Sequence, residues 1–296
     1  MTVTGVPASR QVETGSIDPG RHRRRFSFRS HVRLVGSYAG ARVRGEMQYR
    51  SSFAFSLVAQ ILATAVDLGS IWAVFQATRT IGGWNARQIL WLYAVSMSAF
   101  GLADLFVSAI EELPEHIRSG RFDVYLLRPS PVLLSVLADG FELRRIGRAV
   151  PGVAALAVMF IRPHSFGVTH PSSLLWSGLT VLVGFWIYGA LFIATNSVAF
   201  WLIDSREVAN SFTYGGAAAS HYPLDILNGW MRRLYLWIIP VGFVAWLPGT
   251  RLLDVPKPSG MPVWLPFCSP VAAMVMSIVS GLVWRAGLRH YESTGS

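Results

Sequence analysis

Phe53 to Thr78 reads FAFSLVAQILATAVDLGSIWAVFQAT and carries a single charged side chain, Asp67. A helix rises 1.5 Å per residue, so about 20 predominantly apolar residues cross the roughly 30 Å of hydrocarbon in a bilayer. This stretch is long enough, and a soluble core has no need of so uniform an apolar run. Comparable segments follow at about Ile89 to Ile110, Leu174 to Ile203 and Val263 to Trp284, and a further one at Phe141 to Ile161 has a strictly apolar part that is short, because its inner end holds Glu142, Arg144, Arg145 and Arg148. The 296 residues are 52% apolar and only 14% charged, with a mean hydropathy of +0.42. That balance is the composition of a membrane protein.

Charge places the segments relative to the bilayer. Of the 26 basic residues, ten arginines precede residue 51 and six more lie between Arg118 and Arg148. Arginine accumulates on the cytoplasmic side of bacterial-type membranes, so both clusters are expected there. The first span then leaves the cytoplasm and the second returns. Trp84 in the outer link, with Trp91 and Tyr93 just beyond, fits an interfacial aromatic belt. Asp204, Arg206 and Glu207 mark the inner end of the fourth span, and Arg285 and Arg289 that of the last. The formal charge of +10 is not a nucleic-acid signal, because neither a folded basic domain nor an aromatic platform accompanies it.

Between Val208 and Leu253 two readings stay open. Hydropathy and the position of Arg232 and Arg233 favour a span at Leu234 to Leu253. The prolines Pro223, Pro240 and Pro248 favour a span at Val208 to Tyr222 instead, followed by broken helices that dip into the outer leaflet. Either way the expected fold is all-α, with six transmembrane helices and both termini cytoplasmic. The expected organisation is a basic disordered tail over residues 1–30, an interfacial helix over 31–50, and a six-span domain over 51–296. Within that domain lie a cytoplasmic segment at 111–148 and an outer re-entrant segment at 223–253. The interfacial helix rests on Val32, Val35, Ala39, Val43 and Met47, which recur at helical spacing opposite Arg33, Arg42 and Arg44. Arg23-Arg24-Arg25 begins like a twin-arginine signal, but the arginines that follow leave no apolar core, and no cleavage is expected.

Chemistry is sparse along the chain. A Walker phosphate loop needs a lysine after its glycines, and the sole lysine, Lys257, sits between Pro256 and Pro258. No such nucleotide site can form here. Cys268 is the single cysteine, and His164 and His170 share a loop without other ligands, so no metal or other cofactor is expected in this chain. Clustered His, Asp or Glu at one membrane depth, as an intramembrane enzyme requires, is also missing. Two carboxylates lie within spans. Asp67, in the outer half of the first, is a candidate pathway residue, since ionisable groups at such depth are costly. Asp104 is the second, but Glu111 and Glu112 continue its helical face toward the cytoplasm, which reads as a wet side. Asn196 in the fourth span reads as interhelical glue more than as a pathway contact.

The cytoplasmic link after the second span is the most distinctive stretch. It runs Glu111-Glu112-Leu113-Pro114-Glu115-His116-Ile117-Arg118-Ser119-Gly120-Arg121-Phe122-Asp123 and on through Leu127-Arg128-Pro129. Ile117, Phe122 and Leu126 stand among charges, which predicts a surface for a docking partner.

With Met47-Gln48-Tyr49-Arg50, Gly82-Gly83-Trp84, Tyr222-Pro223 and the ending Tyr291-Glu292-Ser293-Thr294-Gly295-Ser296, this link makes the chain resemble ABC-2 type permeases. The likeness is to a six-span, antibiotic-transport-like bacterial subgroup and covers nearly everything after residue 40. It implies a type V exporter-like permease of the inner membrane, paired with a second permease, identical or paralogous, and with two copies of a cytoplasmic ABC ATPase. ATP and Mg would be bound by that ATPase. It implies that Glu111, Glu112, Pro114, Ile117, Arg118 and Phe122 form a coupling helix that docks on the ATPase, with Asp123 and Arg128 holding the following turn. An ion- or proton-driven secondary transporter, with Asp67 and Asp104 as relays, is the alternative; it predicts internal repeats of hydropathy, and none is visible.

Overall fold

The computed structural model describes residue 40 and residues 50–162, 171–202, 204–255 and 261–292. Apart from Gly40, the expected tail and interfacial helix lie outside the described residues, as does Lys257. Among the described residues from 50 to 292, eleven α-helices follow one another: α1 (Arg50–Ala77), α2 (Ala86–Val107), α3 (Leu113–Arg118), α4 (Phe122–Leu127), α5 (Val132–Asp139), α6 (Ile146–Ile161), α7 (Pro171–Asn196), α8 (Arg206–Ser220), α9 (Gly229–Arg233), α10 (Trp246–Leu252) and α11 (Ser269–His290). Among the described residues the only β-type pairing is the bridge between Ile81 and Trp84. It closes the turn between α1 and α2, where Gly82 and Gly83 take φ of 59° and 86°. A two-residue turn with positive φ at both positions is why two glycines stand there. Asn85 then starts α2 with a capping box, its side chain accepting from the Gln88 amide while Gln88 returns a bond to the Asn85 amide.

Four helical stretches are long and apolar enough to cross a membrane: Ala54–Ala77, Ala86–Arg118, Ser172–Phe200 and Leu265–His290. The sequence expects six spans. The other two segments are shorter: α6 has 16 residues, with Arg145 and Arg148 at its start, and α8 has 15 and is rich in small and polar side chains.

Contacts along these six segments fix their directions. Gly101 faces Ala149 while Gly152 faces Ser98, so α2 and α6 run antiparallel. A Cβ at Gly101 would stand 2.5 Å from Ala149 Cα, which is the backbone approach that small residues permit between membrane helices. Trp91 meets Ser177 and Gly184 meets Ala99, so α7 runs parallel to α2. Trp186 meets Ser277 and Phe200 packs on Gly287, so α11 runs with α7. Tyr93 meets His221 and Phe100 meets Tyr214, which sets α8 antiparallel to α2. The six segments therefore alternate in direction, and the start of α1 lies at the same end of the bundle as the end of α11.

Leu234 to Leu253 is not one helix, which overturns the hydropathy reading of that stretch as a continuous span. A π-turn at Leu234–Ile238 stops at Pro240, a 3-10 turn follows at Val241–Phe243, and α10 starts only at Trp246. Proline supplies no amide hydrogen and its ring clashes with the preceding turn, so an apolar run punctuated by Pro240 breaks. Asp225 pins this region to the α1–α2 turn by accepting from both Trp84 Nε1 (3.0 Å) and Trp246 Nε1 (2.9 Å). Both tryptophans are buried.

Candidate functional site

At the end of the bundle where α2 finishes, six charged residues and a tyrosine converge from four elements. Asp104 is fully buried. Arg145, in the turn before α6, donates from Nη1 to Asp104 Oδ1 (2.9 Å) and Glu111 Oε2 (3.1 Å), and from Nε to Glu142 Oε2 (2.9 Å). Arg148, one turn into α6, donates to Asp104 Oδ2 (3.0 Å) and to the Tyr214 hydroxyl (3.0 Å). Tyr214 on α8 in turn donates to Glu111 Oε1 at 2.9 Å. Arg144 pairs with Glu142 at 2.7 Å on the rim.

Three carboxylates thus face three guanidinium groups. Burial alone would pull Arg145 down and push Glu142 up. The facing charges outweigh it in both cases: Asp104, Glu111 and Glu142 hold Arg145 above its ordinary value, and Arg144 and Arg145 hold Glu142 below its own. All stay ionised. A cavity of about 450 Å³ opens from this network against Ser56, Ala59 and Gln60 of α1.

The sequence reading of Asp104 as a wet helical face is therefore corrected. Its face does point toward charge, but toward arginines 41 and 44 residues further along the chain. Asp104 is a paired core residue, and Glu111 shares its partner. Asn196 is corrected as well: its Nδ2 donates to the Phe192 carbonyl of its own helix at 3.0 Å rather than across to another helix.

The predicted docking surface is also redrawn. Pro114 is buried, Ile117 is 6% exposed and Phe122 is 0% exposed. The Phe122 ring packs on Phe200 (5.4 Å), Tyr125 (6.3 Å) and Tyr291 (4.8 Å). An aromatic among charges in sequence has gone under the link's own underside, against the 3-10 turn at Ser197–Phe200 that ends α7 and the residue after α11. Asp123 accepts from Tyr291 Oη (2.9 Å), which with burial pushes that phenol up to about 12. Arg128 lies over the Tyr125 ring at 4.8 Å, while the Tyr125 hydroxyl donates to Asp139 at 2.7 Å. Glu112 is half-buried beside His116 (3.7 Å). Of the expected docking residues Arg118 alone is exposed, and it pairs with Glu115. The outward face of the link consists of Glu115, Arg118, Ser119, Arg121, Val124, Leu126 and Leu127.

Asp67 lies elsewhere. It accepts from Tyr93 Oη at 3.1 Å, near the opposite end of α2. Beside this pair, Ser96, Tyr188 and Ser220 share hydrogen bonds, with Tyr188 and Ser220 2.6 Å apart. Together with Tyr214 they form a polar seam among α2, α7 and α8.

A family model described as ABC-2 family transporter protein matches residues 61–295. The chain belongs to the ABC-2 transporter family. It is accordingly a transmembrane permease, the transport component of an ABC system and not its catalytic part. Comparison with curated proteins and with solved structures returned no match. ABC-2 permeases normally work with ABC ATPase partners. Among the described residues of this permease no group of His, Cys, Asp and Glu could hold a metal.

Two features of the candidate site escaped the sequence. Arg145, Arg148 and Tyr214 carry the network, and only the arginine-rich start of a short apolar helix hinted at them. Tyr93 and His221 gather around Asp67 across large separations, and nothing local in the sequence links them.

Proposed function

We propose that this chain is the membrane half of an ATP-driven exporter. It would cross the inner membrane of a bacterium-like cell six times, α6 and α8 serving as the third and fifth spans, with both termini cytoplasmic and residues 223–253 dipping into the outer leaflet. Two such permeases, identical or paralogous, would pair with two copies of an ATPase that binds ATP and Mg. The observation that carries the reading is the attachment of the link to three spans at once. Glu111 and Glu142 flank it, and Arg145, Arg148, Asp104 and Tyr214 bond it to α2, α6 and α8. A push on the link is thereby delivered to helices that approach too closely to deform independently.

ATPase docking falls to the outward residues Glu115, Arg118 and Arg121, with buried Ile117 and Phe122 shaping the link from beneath. The double arginine pairing of Asp104 argues against its use as a proton relay, which weakens the secondary-transporter alternative. Charge reversal at Arg118 and Arg121 together tests the docking face. Loss of ATPase co-purification with unchanged thermal stability is expected; full co-purification with full ATP-dependent transport would sink the assignment.

A further inference from the structure

Asp67 stands on the packed side of α1 and yet is open. Gln60, Thr64 and Ile71 precede and follow it on that side at helical spacing; Thr64 is 8% exposed and Ile71 is 4% exposed. Asp67, between them, is exposed. The helix is therefore held against the bundle above and below, and a gap remains at the depth of the carboxylate. What borders the gap is aromatic and polar. Tyr93 donates to Asp67, the His221 ring packs 4.8 Å from the Tyr93 ring, and Tyr222, exposed, follows His221 directly in the chain. His221 Nε2 is buried and without a partner among the described residues. No cation reaches Asp67 among those residues either, in contrast to Asp104 with its two arginines.

We infer that Asp67, Tyr93, His221 and Tyr222 form a binding subsite for the protonated amine of an amphiphilic substrate. Three features select that chemistry. A carboxylate at membrane depth without a counter-charge is costly and is relieved by a cation brought to it. Aromatic faces beside it favour a cation further. An unpartnered ring nitrogen accepts a hydrogen bond in one tautomer, which a protonated amine can donate and a quaternary ammonium or a carboxylate cannot. The apolar part of the ligand is served by the exposed Val66 and Trp72 of α1.

This inference rests on reading Asp67 as a pathway residue, and it is tested by binding alone, without the ATPase. The permease in phosphatidylcholine nanodiscs is titrated with dansylcadaverine, a fluorescent primary amine, and with its neutral N-acetyl derivative, following dansyl anisotropy. The amine is expected to bind saturably and about tenfold or more tighter than the amide. Asp67→Asn is expected to abolish that preference and Asp67→Glu to keep it. Equal affinity of wild type for the two probes overturns the inference, whether or not the variants fold. So does a preference that survives Asp67→Asn, or an Asp67→Asn protein that loses both its second copy and its binding, which would make the residue an interface contact. Failure of ATPase docking with intact amine preference would strike the exporter reading and leave this site standing.

Discussion

Asp104 and Asp67 are the same residue type on neighbouring helices of one bundle, and their surroundings are opposite. Asp104 is sealed, with both oxygens bonded to arginines and a tyrosine hydroxyl close by. Asp67 is open and has one neutral donor. The difference teaches that a carboxylate inside an apolar helix does not announce its role; the charges that fold against it do. A sealed, neutralised carboxylate holds helices together, whereas an open one is a vacancy for a ligand.

The largest expected effect follows directly. Asp104→Ala takes from Arg145 and the half-buried Arg148 the fully buried carboxylate that they share and should cost about 3–5 kcal/mol. Asp67→Ala, by the same denaturation measurement in detergent, should cost less than about 1 kcal/mol. Equal costs would erase the contrast between the two regions. Next, Phe122→Ala should cost about 3–5 kcal/mol, because its ring is wholly buried beneath the link. Were it a docking residue instead, stability would hold and only ATPase binding would fall. A smaller loss of about 1–3 kcal/mol is expected for Tyr214→Phe, which leaves Glu111 and Arg148 each short of a bond. Breaking the exposed Arg118–Glu115 pair should change stability by no more than about 1 kcal/mol.

The smallest effect concerns pH. Burial and Asp123 raise the folded Tyr291 phenol to about 12. A raised value means the neutral form belongs to the fold. Its contribution is complete below the ordinary phenol value near 10 and fades as pH climbs toward 12. Tyr291→Phe should therefore flatten the loss of stability between those two pH values in alkaline unfolding curves.

Much of the fold was legible because a bilayer imposes a length on every apolar helix. Phe53 to Thr78 corresponds to α1 within three residues at each end, while Val263 to Trp284 begins and ends about six residues before α11 does. The short α6 was also foreshadowed by the arginines Arg144, Arg145 and Arg148, which shorten its apolar part. The stretch at Leu234 to Leu253 misled because hydropathy averages over side chains, while Pro240 acts on the backbone. At the candidate site, the position of the link was legible from its charges, but its orientation was not. Ile117 and Phe122 look exposed in a charged sequence but are buried, Phe122 because Phe200 and Tyr291 return to it from far along the chain. The pairing of Asp104 with Arg145 and Arg148 is likewise a product of helix packing across Gly101 and Gly152, which no local periodicity encodes.

The central claim is that the charged network makes the link and α8 move as one body. It is tested most directly by spin labels at the exposed positions Ser119 and Ser211, with Cys268 replaced by serine, in the permease–ATPase complex. Pulsed-dipolar distances are compared between nucleotide-free and nucleotide-trapped states. The account predicts a Ser119–Ser211 distance that nucleotide leaves unchanged in the otherwise wild-type chain and that broadens in Asp104→Asn. A distance that shifts with nucleotide while the network is intact would contradict it.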